Sequence, residues 1–380
     1  MSNYSNQSIV NNLYSLLGIL ELDKTCQLYQ DAIAIGNFLT NPKYQIAVFG
    51  PFNHGKSTLL NALLGKKTLP IDLIPTTGAA IYVGYGEDLK TTITLKDDRE
   101  ITQEGTKILK EYAILDDDRR MGEDVVEVRV WCNHPFLKTG VEFLDLPGTN
   151  DRESQDDLVR DKLLGADLIV HVLDARNLMT LGEREKLRDW LQYRGITTVV
   201  FVVNFLNLLT SEERKEVQHR LPFVAESFRS QLPTGISNLY CVDALPALRA
   251  RLKGDTAAAK TTGLAGFESA LQSIVEAHKQ QDGIRLSRVI NIANRLIQLG
   301  QEKQQDISSQ IEAEQQHQQQ QIAIQQKASK LIEQGLVRSI SDFQGWLYLP
   351  KLLEREQAKL AIALQQREFN IWQQQFKNSY

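Results

Sequence analysis

Residues 50–57 read Gly-Pro-Phe-Asn-His-Gly-Lys-Ser, after the apolar run Ile46–Phe49 and before a helical run from Thr58 to Leu64. Strand, glycine loop and helix in that order form the arrangement in which backbone N–H groups close around phosphate oxygens. Gly50 and Gly55 supply the backbone freedom. Lys56 places a point charge on the β/γ phosphates and is the candidate catalytic cation. Ser57 offers a hydroxyl to Mg2+, and the helix N-terminus adds a favourable field. Asn53, His54 and Thr58 complete the candidate nucleotide contacts in this segment.

Two later segments fit the same chemistry. Asp145-Leu146-Pro147-Gly148 closes the strand-like run Val141–Leu144. An Asp at a strand tip can hold Mg2+, and the Gly148 N–H can meet a γ-phosphate. Between the two motifs lies Ile74-Pro75-Thr76-Thr77-Gly78. A threonine there reaches Mg2+ with its hydroxyl and the γ-phosphate with its N–H. Either threonine can serve, and Thr77 is the favoured metal and catalytic candidate.

Apolar runs spaced through 44–280 predict an α/β fold with a mainly parallel sheet. They are Gln45–Phe49, Ala79–Tyr85, Val125–Trp131, Val141–Leu144, Leu168–Leu173, Thr197–Val203 and Leu239–Val242. The polar stretch 86–124 reads as an inserted hairpin or loop, and Gly254–Gly266 as a loop. Residues 8–40 carry helical spacing, with Leu13, Leu16, Leu17 and Leu20 on one face. From about 284 the character changes: 20 of the last 80 residues are glutamine. A rough helical period through Ile307, Ile311, Ile322, Leu331 and Leu336 predicts long helices, with EQQHQQQQ at 314–321 readable also as a solvated low-complexity tract. Ser341–Leu353 interrupts the pattern at Gly345 and Pro350. Its cluster Trp346-Leu347-Tyr348-Leu349 reads either as a membrane-touching tip or as a helix–helix turn packed into the bundle. The expected domains are an N-terminal helical neck segment at 1–42, a nucleotide-binding domain at 43–282 and a Gln-rich helical neck or stalk at 283–380.

Composition excludes some classes. With 43 basic and 47 acidic residues the net charge is −4, which disfavours nucleic acid as a partner. Cys26, Cys132 and Cys241 are scattered, against a disulfide scaffold or structural zinc. No signal peptide and no apolar run of spanning length is expected, so a cytoplasmic protein or one peripheral to a membrane is the reading.

The combination of FGPFNHGKSTLLNALLGKKTLP, P-T-T, DLPGT and a following Asp174-Ala175 resembles the dynamin superfamily of large GTPases, and bacterial dynamin-like proteins within it. The resemblance covers roughly residues 5–300. It implies GTP and GDP as ligands, Mg2+ as cofactor, helices flanking the GTPase domain as a neck or stalk, nucleotide-dependent dimerisation, self-assembly and membrane remodelling. The chain is shorter than the usual family member with its stalk, which reads as a short member, a truncated gene, or one half of a two-chain assembly with a second dynamin-like chain as partner.

The departures from that pattern are specific. The family reads the base with [TN]-K-x-D, and here Asn204-Phe205-Leu206-Asn207 follows Val199–Val203. Asn204 matches, Phe205 replaces the lysine, and Asn207 replaces the aspartate. A carboxylate accepts from both guanine N1–H and N2–H2, whereas an amide offers one acceptor and one donor. Asp243 and Ala244 stand where the family places an S-A-K-like loop. Ala244 N–H is the candidate for the base carbonyl, and Asp243 is either a base contact or a helix cap. Phe52 and Thr149 stand where relatives carry a water-orienting glutamine, and neither is a general base. His54 is read as a dimer-face or solvent residue rather than a proton shuttle. Arg152 is read as a surface residue or a charge-stabilising arginine. An alternative function is a low-turnover nucleotide-binding partner of a longer relative; an ATP-using P-loop enzyme is a third reading.

Overall fold

The computed structural model describes residues 6–71, 80–112, 125–149, 153–192, 194–226, 228, 231–279 and 283–380. It divides into two compact units, 1–300 and 301–380.

The first unit opens with helices α1 (Asn6–Leu20) and α2 (Gln27–Thr40). The helical spacing at 8–40 is therefore two helices, parted where Glu21 takes a left-handed φ of 47° and Cys26 caps the second. Strand β1 (Tyr44–Phe49) leads into α3 (Lys56–Leu64). Then come β2 (Ile81–Tyr85), β3 (Lys90–Leu95), β4 (Glu100–Glu104), the single turn α4 (Leu109–Tyr112), β5 (Val125–Cys132), the short α5 (Pro135–Lys138) and β6 (Val141–Asp145). The chain continues through α6 (Glu153–Leu164), β7 (Leu168–Asp174), α7 (Leu181–Gln192), β8 (Val199–Asn204), α8 (Ser211–Glu226), β9 (Leu239–Cys241) and α9 (Ala244–Leu252). Helices α10 (Thr256–Lys260), α11 (Leu264–Lys279) and the start of α12 (Gly283–Leu347) complete the unit.

The nine-stranded sheet runs β4-β3-β5-β2-β6-β1-β7-β8-β9. The stretch β6-β1-β7-β8-β9 is parallel, β2 and β5 run parallel to each other and antiparallel to β6, and β3–β4 is an antiparallel hairpin. The hairpin occupies part of the expected insertion at 86–124, where β3 alternates exposed and buried residues. The central strands are buried on both faces, as the continuous apolar runs require. Ile46, Val48, Val170, Val172, Val200 and Val202 join α3, α9 and α11 in one core. Ala47, Phe49, Ile169, Leu173, Phe201 and Val203 join α1, α2, α6, α7, α8 and the start of α12 in the other.

Arginines fasten α12 to this second face. Arg285 forms a two-pronged pair with Asp167, Nε to Oδ1 at 2.8 Å and Nη2 to Oδ2 at 2.9 Å. Arg288 is buried and donates to the carbonyls of Leu164 and Ala166 and to Thr198 Oγ1. Burial pushes its guanidinium down to about 10.

The expected loop at Gly254–Gly266 contains α10 and the first turn of α11. Asp255 accepts the Ala258 N–H, and the alanines at 257–259 are strong helix formers, so a capped helical turn forms between the two glycines.

In the second unit α12 continues as helix through the glutamine tract and through Gly345. It stops at Tyr348, and α13 (Leu349–Gln365) starts with Pro350 in its first turn, where the missing N–H does no harm. Helix α14 (Phe369–Ser379) follows. Trp346 stacks on Tyr380 with ring centroids 4.8 Å apart, and the Arg355 guanidinium lies 4.3 Å above the Trp346 ring. Leu347, Tyr348 and Leu349 are exposed. Among the described residues no helix is long and apolar enough to cross a membrane.

A phosphate loop at the sheet's switch point

Strand β1 has β6 on one side and β7 on the other, so the strand order reverses around it. In open parallel sheets the crevice at such a point, beyond the carboxyl ends of the strands, is where ligands bind. The loop 50–55 lies there. Its end at Gly55 is left-handed, with φ 88°, and a Cβ at that position would stand 2.3 Å from Asn204 Nδ2. Only glycine allows that approach. Asn53 is left-handed too, with φ 62°, and is exposed.

Lys56 opens α3 and is buried. Its ammonium donates to the carbonyls of Gly50 at 3.0 Å and Pro51 at 3.1 Å, inside the loop. Burial lowers it to about 8, and the nearby Asp145 charge opposes that shift. Ser57 Oγ donates to Asp145 Oδ2 at 2.7 Å. Asp145 is fully buried, its Oδ1 has no hydrogen-bond partner, and burial pushes its carboxyl up to about 6. A hydroxyl and a carboxylate in contact, with one buried carboxylate oxygen unpaired, form a donor set that fits a hard cation such as Mg2+. Thr58 is buried in the first turn of α3.

The segment after β6 is laced to the loop. Thr149 N–H donates to the Gly50 carbonyl, and Thr149 bridges Pro51 in parallel. A Cβ on Gly148 would stand 2.8 Å from Phe52 Cα, so the D-x-x-G glycine lies directly against the phosphate loop. Thr76, Thr77 and Arg152 lie outside the described residues.

On the other side, β8 and β9 bring the base-side residues together. Asn204 is buried; its Nδ2 donates to the His54 carbonyl at 3.0 Å, and its Oδ1 accepts the N–H groups of Phe205 and Ala244. The Ala244 N–H, assigned from the sequence to a base carbonyl, is thus engaged by Asn204. Asn207 is exposed, and its backbone N–H donates to Asp243 Oδ1 at 3.0 Å. Asp243 occupies the N-cap position of α9 without a side-chain bond to that helix.

His54 is half-buried rather than solvent-facing. Its Nδ1 bonds the Val172 carbonyl at 3.3 Å, and burial lowers its pKa. It lines a cavity of about 250 Å3 with Phe52, Thr149, His171 and Glu183, behind the loop. Two features have no signal in the sequence. Arg176 pairs with Asp174 and lays its guanidinium 4.6 Å above the Phe205 ring. His171 sits between Phe49 and Phe201 with its Nδ1 unpaired.

A phosphate loop on a doubly covered parallel sheet, with a strand-tip Asp bonded to the loop serine, defines a P-loop nucleotide-binding domain of the GTPase type. Residues 46–206 match the family model described as the Dynamin family. Over those residues the chain is similar to the dynamin superfamily. It is 28% identical over 271 residues to a bacterial dynamin-like protein of Nostoc punctiforme, covering 65% of this chain and 39% of that one. It is 29% identical over 210 residues to a probable chloroplastic transmembrane GTPase, FZO-like, of Arabidopsis thaliana, covering 55% of this chain and 20% of the relative. A solved bacterial dynamin pair, described as oligomerised and as sensing and tethering membranes, aligns with a TM-score of 0.48 at 17% identity, over 89% of this chain and 54% of that chain. The chain thus spans about two fifths or less of the curated relatives named here.

Proposed function

We propose that this chain binds and hydrolyses GTP with Mg2+, dimerises through its GTPase domain and assembles for membrane remodelling, in the cytoplasm and peripherally on membrane. The observation that carries the reading is the Ser57–Asp145 pair beside the buried Lys56. A Mg2+ ion bound there would neutralise charge on the phosphates. Ser57 and Asp145, with Thr77, would hold it. Lys56 trades its loop carbonyls for phosphate oxygens. Gly50, Asn53, His54, Gly55, Lys56, Ser57 and Thr58, with Gly148, surround the phosphates, and on the base side Asn207 and Asp243 face the base while Asn204 and Ala244, bonded to each other, hold that side in register with the loop. Phosphoryl transfer is mainly positioning and charge stabilisation, so such a site works without a general base. The domain boundaries follow the same reading: helical neck at 1–42, GTPase domain at 43–282, stalk segment at 283–380. The exposed Leu347–Leu349 is the candidate lipid contact.

Steady-state phosphate release with GTP, XTP and ATP, each with and without liposomes, tests the reading. GTP turnover that rises with protein concentration or lipid supports it. One observation favours a second reading, a low-turnover binding partner of a longer relative: Phe52 and Thr149 lie at the loop where a water-orienting glutamine would stand, and neither side chain can orient water as its amide would. Mg2+-dependent GTP binding with no turnover under any condition selects that reading.

A further inference from the structure

Guanine shows a base reader two donors side by side, N1–H and N2–H2. One carboxylate satisfies both; an amide satisfies one and turns an NH2 toward the other. Asn207 alone is therefore a poor guanine reader. It does not stand alone. Asp243, from the β9–α9 junction 36 residues on, approaches it so closely that the Asn207 N–H donates to Asp243 Oδ1 at 3.0 Å.

Three details fix where this carboxylate stands and show that the helix cap does not use it. Asp243 holds the N-cap position of α9, where an aspartate ordinarily bonds the helix's own N–H groups, yet it makes no such bond. Its own N–H is fixed by the Thr262 carbonyl, and the next N–H, of Ala244, is fixed by Asn204 Oδ1. Asn204 in turn bonds the His54 carbonyl of the phosphate loop, so Asp243 is held in register with that loop. The helix cap expected as its other role is not what its side chain does.

We propose that Asp243 supplies the guanine acceptor that Asn207 lacks, so that the Asn207–Asp243 pair reads the base edge read elsewhere in the family by one aspartate. The inference rests on the guanine-nucleotide reading of the site. In it, the Asn207 amide oxygen accepts one guanine donor and the second carboxylate oxygen of Asp243 accepts the other. Asp243 is then the specificity-determining residue, and guanine recognition depends on two strands rather than one.

The test is equilibrium binding of GDP and XDP, with Mg2+, to the full chain. Xanthine carries a carbonyl where guanine carries the N2 amino group, so it suits a donor where guanine needs an acceptor. The parent is expected to prefer GDP. Asp243→Asn replaces the acceptor by an amide of equal size and should shift the GDP:XDP affinity ratio toward XDP by about 10- to 100-fold. The double variant Asn207→Asp/Asp243→Asn restores a carboxylate at the neighbouring position and should return the preference to GDP. The readout is a ratio within each variant, so a general loss of stability, which weakens both ligands, does not imitate the result. A ratio within twofold of the parent's in Asp243→Asn, or a parent that prefers XDP, overturns the inference while leaving a nucleotide site. A parent that binds neither diphosphate overturns the nucleotide reading itself and this inference with it.

Discussion

Ser57 Oγ donates to Asp145 Oδ2 across 2.7 Å, joining the first turn of α3 to the tip of β6. The bond brings a hydroxyl and a carboxylate to one point, at the cost of burying that carboxylate completely. Burial is the first cause of the rise of its carboxyl to about 6, and Ser57 and Lys56 offset only part of it.

Asp145→Asn should therefore separate stability from binding. The folded carboxyl holds its proton more tightly than the unfolded one, so the parent loses stability as pH rises from about 4 to about 6. Above that window the loss is on the order of 2–3 kcal/mol. The asparagine variant has no charge to desolvate and should be more stable than the parent at pH 7.5 in the absence of nucleotide, by urea denaturation. Its Mg2+-dependent affinity for GTP should fall by at least about tenfold, because an amide is a weaker ligand for a hard cation. A variant that is both less stable and unimpaired in Mg2+-dependent binding contradicts the role given to Asp145.

His171 works in the opposite direction. Its ring is buried between Phe49 and Phe201, Nδ1 has no partner, and burial pushes its pKa down to about 3. The unfolded chain takes up the proton near pH 6.5, and the folded one does not. Stability is therefore lost as pH falls from about 6.5 toward 3, by about 2 kcal/mol at pH 5. His171→Phe removes that titration and keeps an aromatic ring in the stack. Relative to the parent it should gain about 2 kcal/mol more at pH 5 than at pH 7.5. Denaturation at the two values measures it, and equal differences at both would show that His171 is solvated.

The two ends of the site differ in how far they can be read from the chain. The phosphate side is local: Gly50, Gly55, Lys56 and Ser57 lie within eight residues, and each has a chemistry that its spacing fixes. The central strands are legible as continuous apolar runs because both faces are covered. The base side is not local. Asn204, Asn207, Asp243 and Ala244 come from two strands, and no periodicity reveals that Asn207 bonds Asp243 or that Asn204 takes up the Ala244 N–H. Phe205 is visible as a missing lysine, but not the Arg176 guanidinium that lies over its ring. The helix α10 was hidden by its flanking glycines, since the Asp255 cap becomes decisive only once the chain turns there. The role of Arg285 and Arg288 was equally hidden, because their acceptors lie on α2, on the segment leading into β1 and around β7 and β8.

Arg288 carries the next prediction. Arg288→Met keeps the buried bulk but leaves the carbonyls of Leu164 and Ala166 and the Thr198 hydroxyl without this donor. Relief of the buried charge offsets part of that loss, so the net cost should be roughly 2–4 kcal/mol. Hydrogen exchange should report it locally, as faster exchange at 285–296. Unchanged exchange there would mean that Arg285, with Val289, Ile292 and Leu296, holds the helix without Arg288.

Asn204 is the residue whose replacement should tell tethering from packing. Its amide satisfies three backbone groups at once, the His54 carbonyl and the N–H groups of Phe205 and Ala244. Asn204→Ala leaves all three unpaired and should cost roughly 2–4 kcal/mol. Asn204→Asp is the sharper variant, since its carboxylate still accepts both N–H groups but confronts the His54 carbonyl with a second acceptor. Only the link to the phosphate loop is then broken. If that link positions the loop, Asn204→Asp should weaken GTP and GDP binding by at least about tenfold while losing less stability than Asn204→Ala. Fluorescent-nucleotide titration beside urea denaturation measures both. Undiminished nucleotide affinity in Asn204→Asp would show that the loop holds its shape without β8.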